Sequence, residues 1–289
     1  MNGEPEPDLK AGKPAQAGKS AGRSNLYLRV ASALVLAPVF LALVWYGGAP
    51  FVIVLSICSL LILNEWTRIT GAALSTSIVG GAGLVVACGT VWWGSDLTAI
   101  GVVIVVGAGI RLWERVAGRT PWSAAGVLYA GLPTVALAEL RLGEHGLWAV
   151  AMILALTWAT DIAAYFTGRA LGGPKLWPSV SPNKTWSGAI GGAVGGALAA
   201  SIVALVSGIG SPVAIAVLAM VFSVASQLGD LGESALKRRF GVKDSGNLIP
   251  GHGGIMDRVD GLVTATFAAY VVGLIASGGA DSSLGLALF

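Results

Sequence analysis

Apolar residues in this chain gather into blocks close to the length of a bilayer crossing, joined by short polar links. The blocks run near 28–46, 51–69, 76–93, 97–113, 123–139, 146–167, 188–208, 211–229 and 260–277. A helix needs about 20 consecutive apolar residues to cross the hydrocarbon core. The pattern therefore predicts an all-α integral membrane protein of about nine transmembrane helices. Residues 1–25 show no apolar periodicity and are rich in Gly, Ala, Pro, Lys and Glu; such a stretch cannot bury enough surface to fold and is expected to be a disordered tail. The polar stretch before the first apolar block is too long for a cleavable signal peptide. Residues 26–289 are then one polytopic membrane domain. In the 188–208 block, Gly188, Gly192 and Gly196 recur at four-residue intervals, which lets a neighbouring helix approach closely in lipid. No inverted repeat of the transporter kind is visible.

Composition agrees with lipid as the main solvent. Of 289 residues, 55% are hydrophobic and 11% charged, and the mean hydropathy is +0.77, whereas globular proteins carry about 25% charged residues. The formal net charge of +3 is explained by basic cytoplasmic loops and gives no ground for a nucleic-acid partner. With the tail inside, alternate links place 17 of the 18 basic residues on the cytoplasmic side, and only Arg141 falls outside. The C-terminus is then extracytoplasmic. Trp45, Trp92, Trp93, Trp113, Trp148 and Trp177 lie near block ends, where an amphipathic ring sits at headgroup level. Cys58 and Cys88 lie inside apolar blocks at no metal-ligand spacing and read as packing residues.

The candidate chemistry lies on the cytoplasmic side, where two links, about 168–187 and 230–259, are long. Asp161 sits about six residues from the cytoplasmic end of its block, or roughly 9 Å deep, and an intramembrane carboxylate points to a role at the site or to a structural pair with a basic residue. Glu65 lies at a similar depth with no motif around it and reads as a helix-end hydrogen-bond acceptor. The link from Asp230 to Asp260 concentrates Asp230, Glu233, Lys237, Arg238, Arg239, Lys243, Asp244, His252, Asp257, Arg258 and Asp260. Carboxylates hold Mg²⁺ while the ion keeps its bonds to substrate phosphates, and Lys and Arg neutralise the remaining oxygens. Asp257 and Asp260 are three apart, hence on one face if the helix has begun there, and Asp230 and Glu233 repeat that spacing. Gly251, Gly253 and Gly254 permit close backbone approach to a ligand at a helix N-terminus that favours anions. With His145 the only other histidine, a histidine-based metal site is excluded. Gly168 to Lys175 fails as a Walker A loop because Pro174 stands where the lysine is needed, and Gly251-His252-Gly253 lacks the strand of a dinucleotide fingerprint.

Ser234-Ala235-Leu236-Lys237-Arg238, Lys243-Asp244, Gly246, Ile249-Pro250, His252-Gly253-Gly254-Ile255 and Asp257-Arg258-Val259-Asp260 resemble the signature of the phosphatidate cytidylyltransferases at every fixed position without a gap. Asp161-Ile162-Ala163-Ala164-Tyr165-Phe166 with Gly168-Arg169, and Ser181-Pro182-Asn183-Lys184-Thr185, resemble further family segments in the same order. Ser187 departs from the acidic residue that many members carry there. The resemblance covers about residues 150–270, the expected catalytic part; the first half matches in hydropathy alone.

It implies a Mg²⁺-dependent reaction at the inner membrane: a phosphatidate oxygen attacks the α-phosphorus of CTP, giving CDP-diacylglycerol and pyrophosphate. The expected catalytic residues are Asp230, Asp257, Asp260 and Lys243, with Asp230 and Asp257 on the metal. Substrate contacts are expected from Lys184, Ser181, Asn183, Lys237, Arg238, Asp244, His252, Gly253, Gly254, Arg258 and Asp161. The partners are CTP, phosphatidate and the bilayer, and a homodimer is left open. One alternative is a different membrane phosphotransferase, but Asp260-Gly261-Leu262-Val263-Thr264-Ala265 lacks the CDP-alcohol phosphotransferase pattern. The other is a transporter of a phosphorylated solute, whose cations would bind without turnover.

Overall fold

The computed structural model describes residues 34–93, 96–248 and 253–289; the N-terminal tail and His252 lie outside the described residues. In chain order the elements are α1 (Leu34–Tyr46), α2 (Gly48–Thr70), α3 (Leu74–Thr90), α4 (Asp96–Val116), α5 (Trp122–Leu142), α6 (Gly146–Leu171), β1 (Lys175–Trp177), β2 (Ser181–Thr185), α7 (Trp186–Ser207), α8 (Pro212–Arg239), α9 (Met256–Ala276) and α10 (Ser282–Ala287). Among the described residues, seven helices are long and apolar enough to cross a bilayer: α2 and α4 to α9, with the α4 span beginning at Leu97. Helices α1 and α3 are apolar but shorter. The mostly helical membrane architecture thus stands, with one addition: β1 and β2 form a small antiparallel hairpin pairing Lys175 with Thr185 and Trp177 with Ser181.

Two links expected as loops are largely structured. Helix α8 continues ten residues past the end of its apolar block, so Asp230, Glu233 and Lys237 are helical. Hydropathy marks where lipid contact ends, but a helix can continue when its next turns have a buried face, and Leu231, Glu233 and Leu236 supply one. Helix α6 likewise runs to Leu171, which places Asp161 ten residues before its end rather than six. Helix α9 begins at Met256, so Asp257 and Asp260 both lie in its first turns, as their spacing predicts.

Helix α5 is the most buried of the spans and packs on α2, α3, α4, α6 and α9. The tightest pairing is α6 with α7. A Cβ built at Gly188, Gly192 or Gly196 would lie 2.9 Å from the Ala164 carbonyl oxygen, 3.0 Å from that of Thr160, and 3.2 Å from that of Leu156, respectively. The glycine stripe therefore lets the α7 backbone rest on successive turns of α6. Beneath the functional end, the Thr160 and Ser223 hydroxyls share a 2.8 Å hydrogen bond between α6 and α8. Helices α8 and α9 approach through a second pair of glycines: a Cβ at Gly229 would come 2.6 Å from the Asp260 carbonyl oxygen, and one at Gly261 3.3 Å from that of Ser226. Because Gly229 precedes Asp230 and Gly261 follows Asp260, this contact brings the two aspartates to a common edge.

Candidate active site

The C-terminal ends of α6 and α8, the hairpin, and the N-terminal ends of α7 and α9 meet at one end of the bundle. A cavity of about 690 Å³ opens there, and its lining includes Asp161, Tyr165 and Arg169 of α6, Lys175 of β1, Asn183 and Lys184 of β2, Gly188 of α7, and Gln227 and Asp230 of α8. The hairpin base is closed by the Trp186 N–H donating to the Pro174 carbonyl at 3.0 Å. Thr185 caps α7, its Oγ1 accepting from the Gly188 N–H at 3.1 Å. This capping fixes where β2 ends, and Lys184, one residue earlier, reaches across the cavity to form an ion pair with Asp230. Both side chains keep about 30% of their surface accessible. Asp161 is exposed into the same cavity. It interacts electrostatically with Asp230 and Lys184, and Asp260 interacts with Asp161 and Asp230. Asp260 Oδ1 accepts from the Gly261 N–H at 2.7 Å.

A second cluster adjoins the first along α8 and α9. Lys237 donates to Glu233 Oε1 at 3.0 Å and to Asp257 Oδ1 at 2.6 Å. Asp257 Oδ2 accepts from the backbone N–H groups of Ser245 (2.8 Å) and Gly254 (3.0 Å), and from the Ser245 hydroxyl (2.8 Å). The Glu233 side chain is fully buried and takes a long contact of 3.5 Å from Tyr129 Oη on α5. Trp66, Trp122, Tyr129 and Phe240 surround this end of α8 with ring contacts of 5.0–6.4 Å, and Arg239 stacks 5.4 Å over Trp122.

Of the residues expected at the site, Asp161, Asn183, Lys184 and Asp230 line the cavity. Lys237, Asp257 and Asp260 lie beside it on α8 and α9, Gly254 binds Asp257, and Ser181 begins β2. Arg238, Lys243, Asp244 and Arg258 are exposed on the flanking helix ends and link, Arg238 reaching the Val242 carbonyl at 3.5 Å. Gly253 takes a positive φ of 87°, which a non-glycine residue would adopt only with strain. His252 lies outside the described residues.

Two cavity cations, Arg169 and Lys175, were not among the expected site residues: Arg169 stood in a matching family segment without an assigned role, and Lys175 was counted only as a topology charge. Glu233 was visible in the charged stretch, but its burial was not. Glu65 is the helix-end acceptor its position suggested, taking the N–H groups of Ile255 and Met256 at 2.9 and 2.8 Å.

As metal donors, Asp161 and Asp230 face one cavity with Asp260 in electrostatic reach, although no group of three His, Cys, Asp or Glu among the described residues is gathered in ligand geometry. Asp161 and Asp230 fit Mg²⁺, which commonly takes one or two protein carboxylates and fills its remaining positions with water and substrate phosphate; Asp257, in the adjoining cluster, has Oδ1 on Lys237 and Oδ2 on Ser245 and Gly254, and would serve as a ligand only by exchanging the Lys237 ammonium for the ion.

Known proteins resemble this chain in sequence over most of its length. A protein named phosphatidate cytidylyltransferase from Brucella suis is 45% identical over 256 residues, 87% of this chain and 94% of the relative. One of the same name from Rickettsia bellii is 27% identical over 89% of this chain and 94% of its own length. A third, from Bacillus subtilis, is 44% identical over 135 residues, 46% of this chain and 50% of the relative. The family profile described as the cytidylyltransferase family matches residues 27–276, and the chain belongs to that family.

Proposed function

We propose that this protein transfers the cytidylyl group of CTP to phosphatidate, releasing pyrophosphate and leaving CDP-diacylglycerol in the membrane. The observation that carries the reading is one cavity at the end of a membrane bundle, walled by the cations Arg169, Lys175 and Lys184 and by the carboxylates Asp161 and Asp230. Both substrates are anionic phosphates, so their approach requires positive charge at the place of encounter, and preorganised cations supply it without reorganisation cost. The helices around the cavity expose Tyr165, Phe166 and Trp186, surfaces a lipid can lie along while its headgroup reaches the polar wall.

In the reaction an oxygen of the phosphatidate phosphate bonds to the α-phosphorus of CTP as the α–β bridging bond breaks, and the electron pair leaves with pyrophosphate. Lys184 and its neighbours hold the headgroup oxygens against their mutual repulsion with the nucleotide. Lys237 and Lys243 meet the triphosphate on the α8–α9 side. Asp230 and Asp257 are the proposed Mg²⁺ ligands, with Asp161 and Asp260 assisting; bound there, the ion would neutralise phosphate charge and polarise the α-phosphorus. Lys184 and Lys237 now occupy oxygens of those two carboxylates, so a divalent ion would compete with an ammonium at each.

The cavity end of the bundle is proposed to face the cytoplasm, the side of CTP, as the basic links suggest. The C-terminus lies at the other end, where the Ser211 N–H donates to the Phe289 carbonyl. A reporter fused after Phe289 is expected to be active only outside; cytoplasmic activity would reverse the orientation. The activity itself is tested by supplying purified protein with phosphatidate and CTP, with and without Mg²⁺. CDP-diacylglycerol should form only with all three, and Asp230→Asn should abolish it. Turnover undiminished in that variant would remove Asp230 from the site.

A further inference from the structure

Glu65 belongs to the first half of the chain, on α2, yet its carboxylate is buried against the α8–α9 link that carries the signature. It is 4% exposed. Its Oε1 accepts from the Ile255 N–H at 2.9 Å, and its Oε2 from the Met256 N–H at 2.8 Å and the Ser245 hydroxyl at 2.9 Å. Both ends of the segment from Ser245 to Met256 are therefore gripped by one side chain.

Two features tie this grip to Asp257. The Ser245 hydroxyl lies between the two carboxylates, 2.9 Å from Glu65 and 2.8 Å from Asp257, so its single proton serves them alternately. Gly246 and Gly254 also stand where the Glu65 carboxylate needs room. A Cβ at Gly246 would lie 3.0 Å from Oε1, and one at Gly254 would crowd Oε2 and the Ser245 hydroxyl. These signature glycines leave space for an acid that comes from outside the signature. Gly254 in turn gives its N–H to Asp257 at 3.0 Å.

We propose that Glu65 is a positioning residue for the nucleotidyl-transfer site. It fixes the Ser245 and Gly254 donors and the first turn of α9, and through them it sets the orientation of Asp257. The inference rests on the reading that Asp257 acts in the reaction, but its structural half stands independently. Groups that orient such carboxylates typically cost about 10–100-fold in metal affinity or activity when removed. Glu65→Gln keeps the size of the side chain and replaces one acceptor oxygen by an amide nitrogen that cannot accept a hydrogen bond.

The first measurement is backbone hydrogen exchange at residues 245–248 and 253–257 in the full chain in detergent. Glu65→Gln should exchange faster in this segment, with the α6 and hairpin peptides unchanged; wild-type protection there would overturn the proposal. The second is kinetic. The variant should lose about 10–100-fold in kcat, or need that much more Mg²⁺ for half-maximal rate, with KM for phosphatidate unchanged. In an Asp257→Glu background that retains measurable turnover, the added loss should be much smaller, because the two changes act on one group. Equal losses in both backgrounds would make Glu65 a general structural residue, as would full specific activity per folded molecule of the single variant. Faster exchange in a protein with no activity even as wild type would leave the clamp standing and sink the functional reading instead.

Discussion

Lys237 Nζ stands 2.6 Å from Asp257 Oδ1 and 3.0 Å from Glu233 Oε1, so one ammonium joins the last turns of α8 to the first turn of α9. The three side chains are 12%, 7% and 0% exposed. Backbone N–H groups of Ser245 and Gly254 take the second Asp257 oxygen. The signature lysine therefore has a structural duty besides any contact with substrate.

Removing that ammonium leaves two carboxylates facing each other out of water. Breaking a buried pair by deleting one partner costs about 3–5 kcal/mol, so Lys237→Met should lower the thermal midpoint in detergent sharply and abolish turnover. Adding Glu233→Gln removes one of the stranded charges and should restore much of the stability but none of the activity. A double variant no more stable than Lys237→Met would show that Glu233 is not held by the lysine.

The helix contacts give a test free of charge. A Cβ at Gly188 would lie 2.9 Å from the Ala164 carbonyl oxygen, a backbone atom that cannot swing aside, so Gly188→Ala must push α7 off α6. Overpacking of this kind costs about 1–3 kcal/mol. The cavity wall moves with it, and activity should fall as well. Gly101→Ala on α4 meets nothing within 4 Å and is the control; a similar loss there would mean that crowding at Gly188 is not the cause.

Much of this was legible from residue order, and the limits were physical. Apolar blocks located the helices because transfer to lipid dominates their placement. The Gly188, Gly192 and Gly196 spacing foretold the close α6–α7 contact, and the Asp257 and Asp260 spacing foretold a shared helix. The continuation of α8 to Arg239 was not legible, since its last turns are held by buried Leu231, Glu233 and Leu236 and by the Lys237 bridge, contacts that form only after folding. Lys175 was hidden for a similar reason: its place in the cavity depends on the hairpin that carries it.

Asp281 offers a pH test outside the membrane spans. It caps α10, accepting from the Ser283 and Leu284 N–H groups at 2.7 and 3.1 Å, and it takes the Glu144 N–H across the α5–α6 link at 2.8 Å. Partial burial acts to raise its pKa, but these hydrogen bonds outweigh burial and hold it below the ordinary carboxylate value. A lowered folded pKa means that the charge stabilises the fold above the unfolded pKa, and that this stability is lost as pH falls through the folded value. Thermal midpoints of wild type and Asp281→Ala should therefore differ at neutral pH, reflecting a stability difference of about 1 kcal/mol or less for a cap partly screened by solvent. The gap should close on acidification below the folded pKa. A gap that persists there would mean that the carboxylate charge is not what secures α10.

The division of cations between the substrates gives the sharpest kinetic forecast. Lys184 lines the cavity between α6, the hairpin and α8, next to helices that expose aromatic rings to lipid. Lys243 is exposed on the link after α8 and is not among the cavity-lining residues. A lipid headgroup approaching along α6 would meet Lys184 first, whereas a soluble nucleotide arriving at the bundle end would meet Lys243. Losing one contact to a phosphate removes a charge-assisted hydrogen bond of about 1.5–3 kcal/mol, or roughly 10- to 150-fold in the kinetic parameter that reports it. Lys243→Ala should raise KM for CTP by that order and leave KM for phosphatidate nearly unchanged, and Lys184→Ala should do the reverse. Lys184→Ala also frees Asp230, so its Mg²⁺ requirement should fall, since the ion no longer competes with an ammonium. Equal changes for both substrates in both variants would merge the two subsites into one. An unchanged Mg²⁺ dependence in Lys184→Ala would count against Asp230 as a metal ligand.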